Sequence, residues 1–113
     1  MKVTVLKNNV PIESLSFDTP ELSERYEIYV GRAEDCHVRI NDPLISRHHL
    51  VLKNNNGSWT CEKKSQLGAV SVNGAIGDIL PVRNADEIKC GPYSLLIQEL
   101  PESPKVEIGR AHV

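Results

Sequence analysis

The stretch that decides the fold runs from Tyr26 to Leu50 and reads YEIYVGRAEDCHVRINDPLISRHHL. It contains two short polar turns, Gly31-Arg32 and Ser46-Arg47-His48-His49. Each turn follows apolar residues that alternate as they do in a strand, namely Tyr26, Ile28 and Val30 before the first and Val38 and Ile40 before the second. The pattern therefore predicts two polar loops at one end of a β-sheet.

The side chains of these two turns suit an anion. An arginine directly after a glycine, such as Arg32, can reach outward and present a bidentate guanidinium fork. Ser46 and Arg47 add a hydroxyl group and a second guanidinium in the next turn. A site for a phosphate dianion is predicted where the two loops meet.

These residues resemble the forkhead-associated (FHA) domain family, whose members bind phosphothreonine in partner proteins. The resemblance rests on Gly31-Arg32, on the Ser-Arg-x-His pattern of residues 46–49 and on Val72-Asn73-Gly74, in that order and with family-like gaps. It covers residues 26 to 97 and includes further matches at Trp59, Ser65, Gly68, Asp86, Ile88 and Gly91. It implies an all-β fold, an FHA-type β-sandwich of two mainly antiparallel sheets with functional loops at one end.

The spacing of short strands independently favours a sandwich. Residues 2–6 and 12–17 alternate around Asn8-Asn9, which predicts an N-terminal hairpin. Asn56-Gly57 predicts a second hairpin, with Trp59 in the core. Further strands are predicted at residues 69–72, 79–82, 87–89 and 93–99. The run ELSER, residues 21–25, is the one helix candidate and is too short to stand alone.

Length and composition limit the possible functions. The 113 residues suffice for one domain with a core but not for two. A formal net charge of -2 gives no broad basic field, so binding to nucleic acid or to a membrane is not expected. Three cysteines without a CxxC motif, and a start without a signal peptide, predict a reduced, cytoplasmic setting.

The domain is expected to span residues 1–100. Residues 101–113, PESPKVEIGRAHV, contain two prolines and no clear pattern, so they are interpreted as a tail, a linker or a cloning remnant. The module is interpreted as part of a longer protein.

The resemblance assigns roles to individual residues. Arg32 and Ser46 would hold the phosphate, and Arg47, Gln66 and Asn73 would surround the peptide. Structural support of the site is expected from Gly31, His49, Gly68 and Gly74.

Four of these binding residues also have a simpler reading. Arg32 could pair with Glu34 or Asp35 on the surface, and Ser46 could be a turn residue. The Arg47 side chain could point at solvent, and Asn73 could brace a turn.

Metal binding and catalysis are not expected. His48 and His49 are adjacent, and adjacent strand residues point to opposite faces, so the pair cannot easily share one ion. Cys36 and His37 nearby do not complete a recognisable ligand spacing. The sequence shows no nucleophile elbow, no phosphate-cradling glycine loop before a helix and no carboxylate pair in a catalytic motif, so neither an enzyme nor a cofactor is predicted.

The third loop departs from the family pattern of Ser-x-Asn-Gly-Thr. In the run from Ser65 to Ala69, Leu67 stands where the family has an asparagine that grips the peptide, and Ala69 replaces the threonine. Aligning Ser71-Val72-Asn73-Gly74 with that motif instead would make the gap from Trp59 too long and the gap to Asp86 too short. The resemblance therefore implies a non-catalytic phosphothreonine-peptide-binding module, with a phosphate-independent interaction scaffold of the same fold as the alternative.

Thr19 offers a further hypothesis about partners. It lies beside Pro20 in an expected loop, and phosphorylation there would make it a ligand for a second copy of the domain. An ordinary turn residue is the simpler reading, since Thr-Pro is common in turns. Mass spectrometry of the native protein that finds no phosphate on Thr19 would remove the self-association hypothesis.

The substitution Leu67→Asn should tighten phosphopeptide binding roughly tenfold or more, because an asparagine can form two hydrogen bonds to the peptide backbone, each worth about 1 kcal/mol, and ~1.4 kcal/mol corresponds to a factor of ten. Isothermal titration of both forms with one phosphothreonine peptide measures the effect. Loss of folding would place Leu67 in the core, and the absence of phosphopeptide binding by either form would favour the phosphate-independent scaffold.

Overall fold

The computed structural model describes residues 1–17, 26–55, 58–65 and 69–100. These residues form eleven strands and no helix. The strands are β1 Lys2–Lys7, β2 Val10–Ser16, β3 Tyr26–Gly31, β4 Val38–Arg39, β5 Leu50–Asn55, β6 Ser58–Lys63, β7 Val70–Val72, β8 Ala75–Ile76, β9 Ile79–Val82, β10 Glu87–Cys90 and β11 Tyr93–Gln98. The described ranges accordingly hold no helix long and apolar enough to cross a lipid bilayer.

The strands form two sheets. One has six strands in the order β2-β1-β11-β10-β7-β8, and the other has five in the order β4-β3-β5-β6-β9. Neighbouring strands are antiparallel, apart from the short parallel pair of β3 and β4, in which Val30 faces Val38. The expectation of an all-β sandwich of two mainly antiparallel sheets is confirmed.

Alternating side chains create the core between the sheets. In β1, Val3 and Val5 are buried while the residues between and beside them are partly exposed, as the two-residue period of a strand requires. Ile28 and Val30 of β3 are buried in the same way in the other sheet. Leu95 of β11 is fully buried as well, so the apolar faces of both sheets contribute to one hydrophobic cluster.

Both predicted hairpins are confirmed. Asn8 and Asn9 have φ angles of 52° and 66°, which is the left-handed pair that a two-residue turn between antiparallel strands needs. In the second hairpin Asn55 pairs with Ser58, and Trp59 is buried in the core. The first hairpin is longer than its sequence pattern indicates, because β2 already begins at Val10.

Strand β4 falls on the strand-like run predicted at Val38 and Ile40, whereas β8 is not predicted, because its two residues are too few to show an alternating pattern. The helix candidate at residues 21–25, Thr19 and the residues from 101 onward lie outside the described part of the chain. So do Gln66, Leu67 and Gly68 of the third loop.

All three cysteines are buried and unbridged. Burial raises the pKa of the Cys61 thiol to about 12, with a further increase from Cys90 nearby. Burial also raises the pKa of Cys90 to about 11. Both thiols are therefore protonated core side chains rather than candidate ligands or nucleophiles.

Candidate functional site

The loop after β3 and the loop before β5 lie side by side beyond the ends of their strands. The backbone amides of Arg32 and Ala33 donate to the carbonyls of Ser46 and Arg47, both at 3.0 Å. The amide of His49 donates back to the carbonyl of Val30 at 2.9 Å. These three bonds fix the Gly-Arg turn against the Ser-Arg-His-His turn, so the two polar loops predicted from the sequence do meet.

Gly31 permits this close approach. A Cβ atom at this buried position would lie 2.3 Å from the carbonyl oxygen of Arg47 and 2.9 Å from that of Ser46. Both contacts are with backbone, which cannot move aside like a flexible side chain. The glycine of the Gly-Arg pair is therefore required by the space between the loops.

Arg32 is partly buried and held at its Nε atom, which donates to the carbonyl of Ile45 at 3.1 Å. Arg39 in turn donates its Nε to the carbonyl of Arg32 at 3.1 Å. In the described chain Arg32 forms no ion pair with Glu34 or Asp35, and Asp35 instead contacts His48. The terminal nitrogens of Arg32 have no hydrogen-bond partner among the described residues, so they remain available as donors.

The Ser46 side chain lies next to a third segment. Its Oγ is 2.8 Å from Oγ of Ser65, which follows β6, and either hydroxyl can be the donor. The contact joins residues that are 19 positions apart, and no local pattern indicates it. Ser65 was identified only as a match to the family, without a contact assigned to it.

His49 connects the same segments from inside. Its side chain is 3% exposed, and its Nδ1 accepts a hydrogen bond from the Ser46 amide at 3.1 Å. Its backbone carbonyl accepts from the amides of Lys64 and Ser65 at 2.9 and 3.0 Å. The residue thus braces the loop before β5 against the end of β6.

Burial lowers the pKa of His49, and the positive charge of Lys63 lowers it further. The ring is therefore neutral at neutral pH. Because Nδ1 accepts a bond from an amide, the ring proton lies on Nε2. Nε2 is buried and has no partner within the described residues.

Arg32 and Ser46 line a common depression of about 280 Å³, together with His49 and Ala69. A larger groove of about 640 Å³ shares Arg32 and extends past Arg39, Arg47 and His48. Arg47 is exposed, because its carbonyl rather than its side chain contacts the neighbouring loop. The structure thus brings Arg32 and Ser46 together and places Arg47 along the adjoining groove.

Asn73 has the geometry of a turn brace. It has a φ of 49°, and Gly74 after it has a φ of 88°. Its Nδ2 donates to Oδ1 of Asp86 at 2.8 Å, and its Oδ1 accepts from the Glu87 amide at 2.9 Å. Neither depression is lined by Asn73. The turn-bracing alternative matches these contacts, and a contact with a peptide stays a prediction, as it does for Gln66.

Comparison with known proteins identifies the family. The model of the FHA domain matches residues 28–91, which is more than half of the chain and includes both loops of the site. This chain belongs to the FHA domain family.

Relatives of known sequence or structure share the fold at low identity. The chain is 29% identical over 66 residues to the ABC transporter ATP-binding/permease protein Rv1747 of Mycobacterium tuberculosis. That match covers 58% of this chain but only 8% of the transporter.

Two solved structures cover nearly the whole chain. The N-terminal FHA domain of Rad53p from S. cerevisiae, in complex with a phosphothreonine peptide, has a TM-score of 0.72 and 16% identity, with 96% of this chain and 99% of that chain covered. The FHA domain of an Arabidopsis thaliana protein has a TM-score of 0.69 and 24% identity, with 90% of this chain and 88% of that chain covered.

Gly31→Ala should lower the free energy of unfolding by about 1–3 kcal/mol, because the new methyl group overlaps the backbone of the facing loop. Urea unfolding measures the change. Gly91→Asn is the matched control, since Gly91 has a φ of 60° that asparagine tolerates and open space around its Cβ position. Equal stability of the two variants would show that the loops are not in the close contact described.

His49→Ala should lower the free energy of unfolding by about 2 kcal/mol or more, because it opens a cavity and leaves the amide of Ser46 without its acceptor. The adjacent and exposed His48→Ala should change stability by less than about 0.5 kcal/mol. Equal unfolding free energies for the two histidine variants, measured in the same denaturant series, would contradict the bracing role.

Proposed function

We propose that this domain is a non-catalytic signalling module that binds a threonine-phosphorylated protein or peptide. The observation that carries the proposal is that Arg32 and Ser46 line one depression and that backbone bonds join their loops. A phosphate dianion accepts several hydrogen bonds at once, and both groups can donate to it.

The free energy of hydrogen bonds to the phosphate would make such binding depend on phosphorylation. A hydrogen bond to a charged group contributes about 1.5–3 kcal/mol, and two or three of them amount to a large share of the binding free energy of a short peptide. The formal net charge of the chain is -2, so its overall field does not attract anions. Recognition would therefore be local and would depend on geometry as well as charge.

Family relationship supports the same proposal. The Rad53p FHA domain was solved in complex with a phosphothreonine peptide, and one other solved relative was studied for phosphothreonine-dependent FHA domain interactions. In this proposal Arg32 and Ser46 hold the phosphate, and Arg47 lies along the groove beside the peptide. Gln66 and Asn73 are assigned to the peptide by resemblance.

The proposal extends to the setting of the domain. Residues 1–100 would form the module and residues 101–113 a tail, linker or cloning remnant. A reducing, cytoplasmic location fits three unbridged cysteines. Phosphorylated Thr19 of a second copy is one conceivable ligand.

A phosphate-independent scaffold is the second candidate. Leu67 and Ala69 replace the amide and hydroxyl of the family pattern, and Leu44 beside the depression is 70% exposed. These apolar groups favour a protein surface over a phosphate. Titration with a peptide library in phosphorylated and unphosphorylated form separates the two candidates, because only the first requires a large difference between the two sets.

Arg32→Ala should weaken phosphopeptide binding at least about 100-fold, equivalent to roughly 2.8 kcal/mol, because it removes the guanidinium. Since Arg32 is partly buried and bonded to the Ile45 carbonyl, rather than exposed as its loop position suggests, a stability loss of about 1 kcal/mol should accompany it. Fluorescence anisotropy with a labelled phosphothreonine peptide measures affinity, and thermal unfolding measures stability.

Arg83→Ala provides the charge-matched control, because Arg83 is exposed and lines neither depression. The affinity of this variant for the phosphopeptide should stay within about twofold of the affinity of the unmodified domain. Equal affinity of the Arg32 and Arg83 variants would refute the phosphate-binding role of Arg32.

A further inference from the structure

Three potential metal ligands converge next to the groove, and none of them is assigned to the phosphate. Asp35 and Cys36 lie in the loop between β3 and β4, and His48 lies in the loop between β4 and β5. A carboxylate oxygen, the Sγ atom and a ring nitrogen of these residues lie within 4.8 Å of one another. The Nε2 atom of His48 is already 3.1 and 3.2 Å from the two carboxylate oxygens of Asp35.

The surrounding structure holds two of these ligands in place. The Cys36 amide donates to the carbonyl of Ala33 at 3.1 Å, and its Sγ lies 3.3 Å from the carbonyl of Arg47. The ring of His48 packs edge-on against Tyr29, with the ring centres 6.1 Å apart. Asp35 is 73% exposed, so its carboxylate can rotate at little cost. The cluster therefore has two supported ligands and one adjustable ligand.

The geometry points to a zinc site: we propose that Asp35, Cys36 and His48 bind Zn²⁺, with water in the fourth position. Zinc takes thiolate, imidazole and carboxylate ligands in tetrahedral geometry, at bond lengths of about 2.0–2.3 Å. Those lengths place neighbouring ligand atoms roughly 3.3–3.8 Å apart, so a shift of about 1 Å closes the cluster. Magnesium and calcium prefer sites made only of oxygen ligands, and the thiol disfavours both.

Coordination would replace the thiol proton by the metal. Cys36 gives its proton to solvent, and the thiolate electron pair forms the bond to zinc. The carbonyl of Arg47 then loses the S–H group as a donor but keeps the amide of Ala33 at 3.0 Å. No backbone group is left without a partner by this change.

The fold brings these three ligands together, although their spacing in the sequence predicts no metal site. His48 is exposed and His49 is buried, so the two adjacent histidines do point to opposite sides, as expected. The ligands come instead from two loops whose meeting depends on Gly31 and on the backbone bonds beside it. A bound ion would link the loop of Arg32 to the loop of Ser46 and stabilise the folded site by mass action.

Cobalt and zinc titrations of the complete 113-residue chain test the proposal. With Co²⁺ as a spectroscopic probe, one equivalent should produce a sulfur-to-cobalt charge-transfer absorption and the visible bands of tetrahedral cobalt. Cys36→Ser should abolish the charge-transfer absorption. Asp35→Asn and His48→Gln should each weaken Zn²⁺ binding at least about tenfold in calorimetry.

His37 supplies a matched control. His37→Gln should leave zinc affinity within about twofold, because His37 does not belong to the cluster. Arg32→Ala should also retain zinc binding, so the outcome is independent of the phosphopeptide proposal. Unchanged zinc affinity in Cys36→Ser, or a cobalt complex without sulfur absorption in the unmodified protein, would overturn the site.

Discussion

The close contact between the backbone of residues 30–33 and that of residues 46–49 is the constraint on which the site depends. The amides of Arg32, Ala33 and His49 make its three hydrogen bonds, and Gly31 supplies the space for them. The contact positions polar side chains outside the sandwich without exposing the apolar core, which is the usual way in which a rigid β-scaffold carries a binding site on loops.

His49 shows how a polar residue becomes part of the buried structure. A buried ring nitrogen is tolerated when it accepts a hydrogen bond, and Nδ1 of His49 accepts one from Ser46. The backbone carbonyl of the same residue accepts hydrogen bonds from two amides of the segment after β6. Stability and site geometry are therefore coupled here: a change that loosens His49 also moves the serine hydroxyl beside the proposed phosphate position.

Local charge rather than overall charge distinguishes the functional end of the domain. Three arginines line the larger groove in a chain of net charge -2, and the acidic Glu34 and Asp35 line it as well. Nε of Arg39 donates a hydrogen bond to the backbone carbonyl of Arg32, while Asp35 is paired with His48 rather than with an arginine. The proposed anion site and the proposed metal site therefore use different side chains of one surface.

The sequence by itself determined the strands other than β8, the hairpin at Asn8-Asn9, the burial of Trp59 and the family to which the chain belongs. These features follow from alternation with a period of two, from turn residues that accept a positive φ and from short motifs, all of which are local. Only the tertiary structure decided which distant groups meet: Ser46 with Ser65, and Asp35 with His48. Such pairs depend on how loops from different strands approach each other, and a local pattern carries no information about that approach.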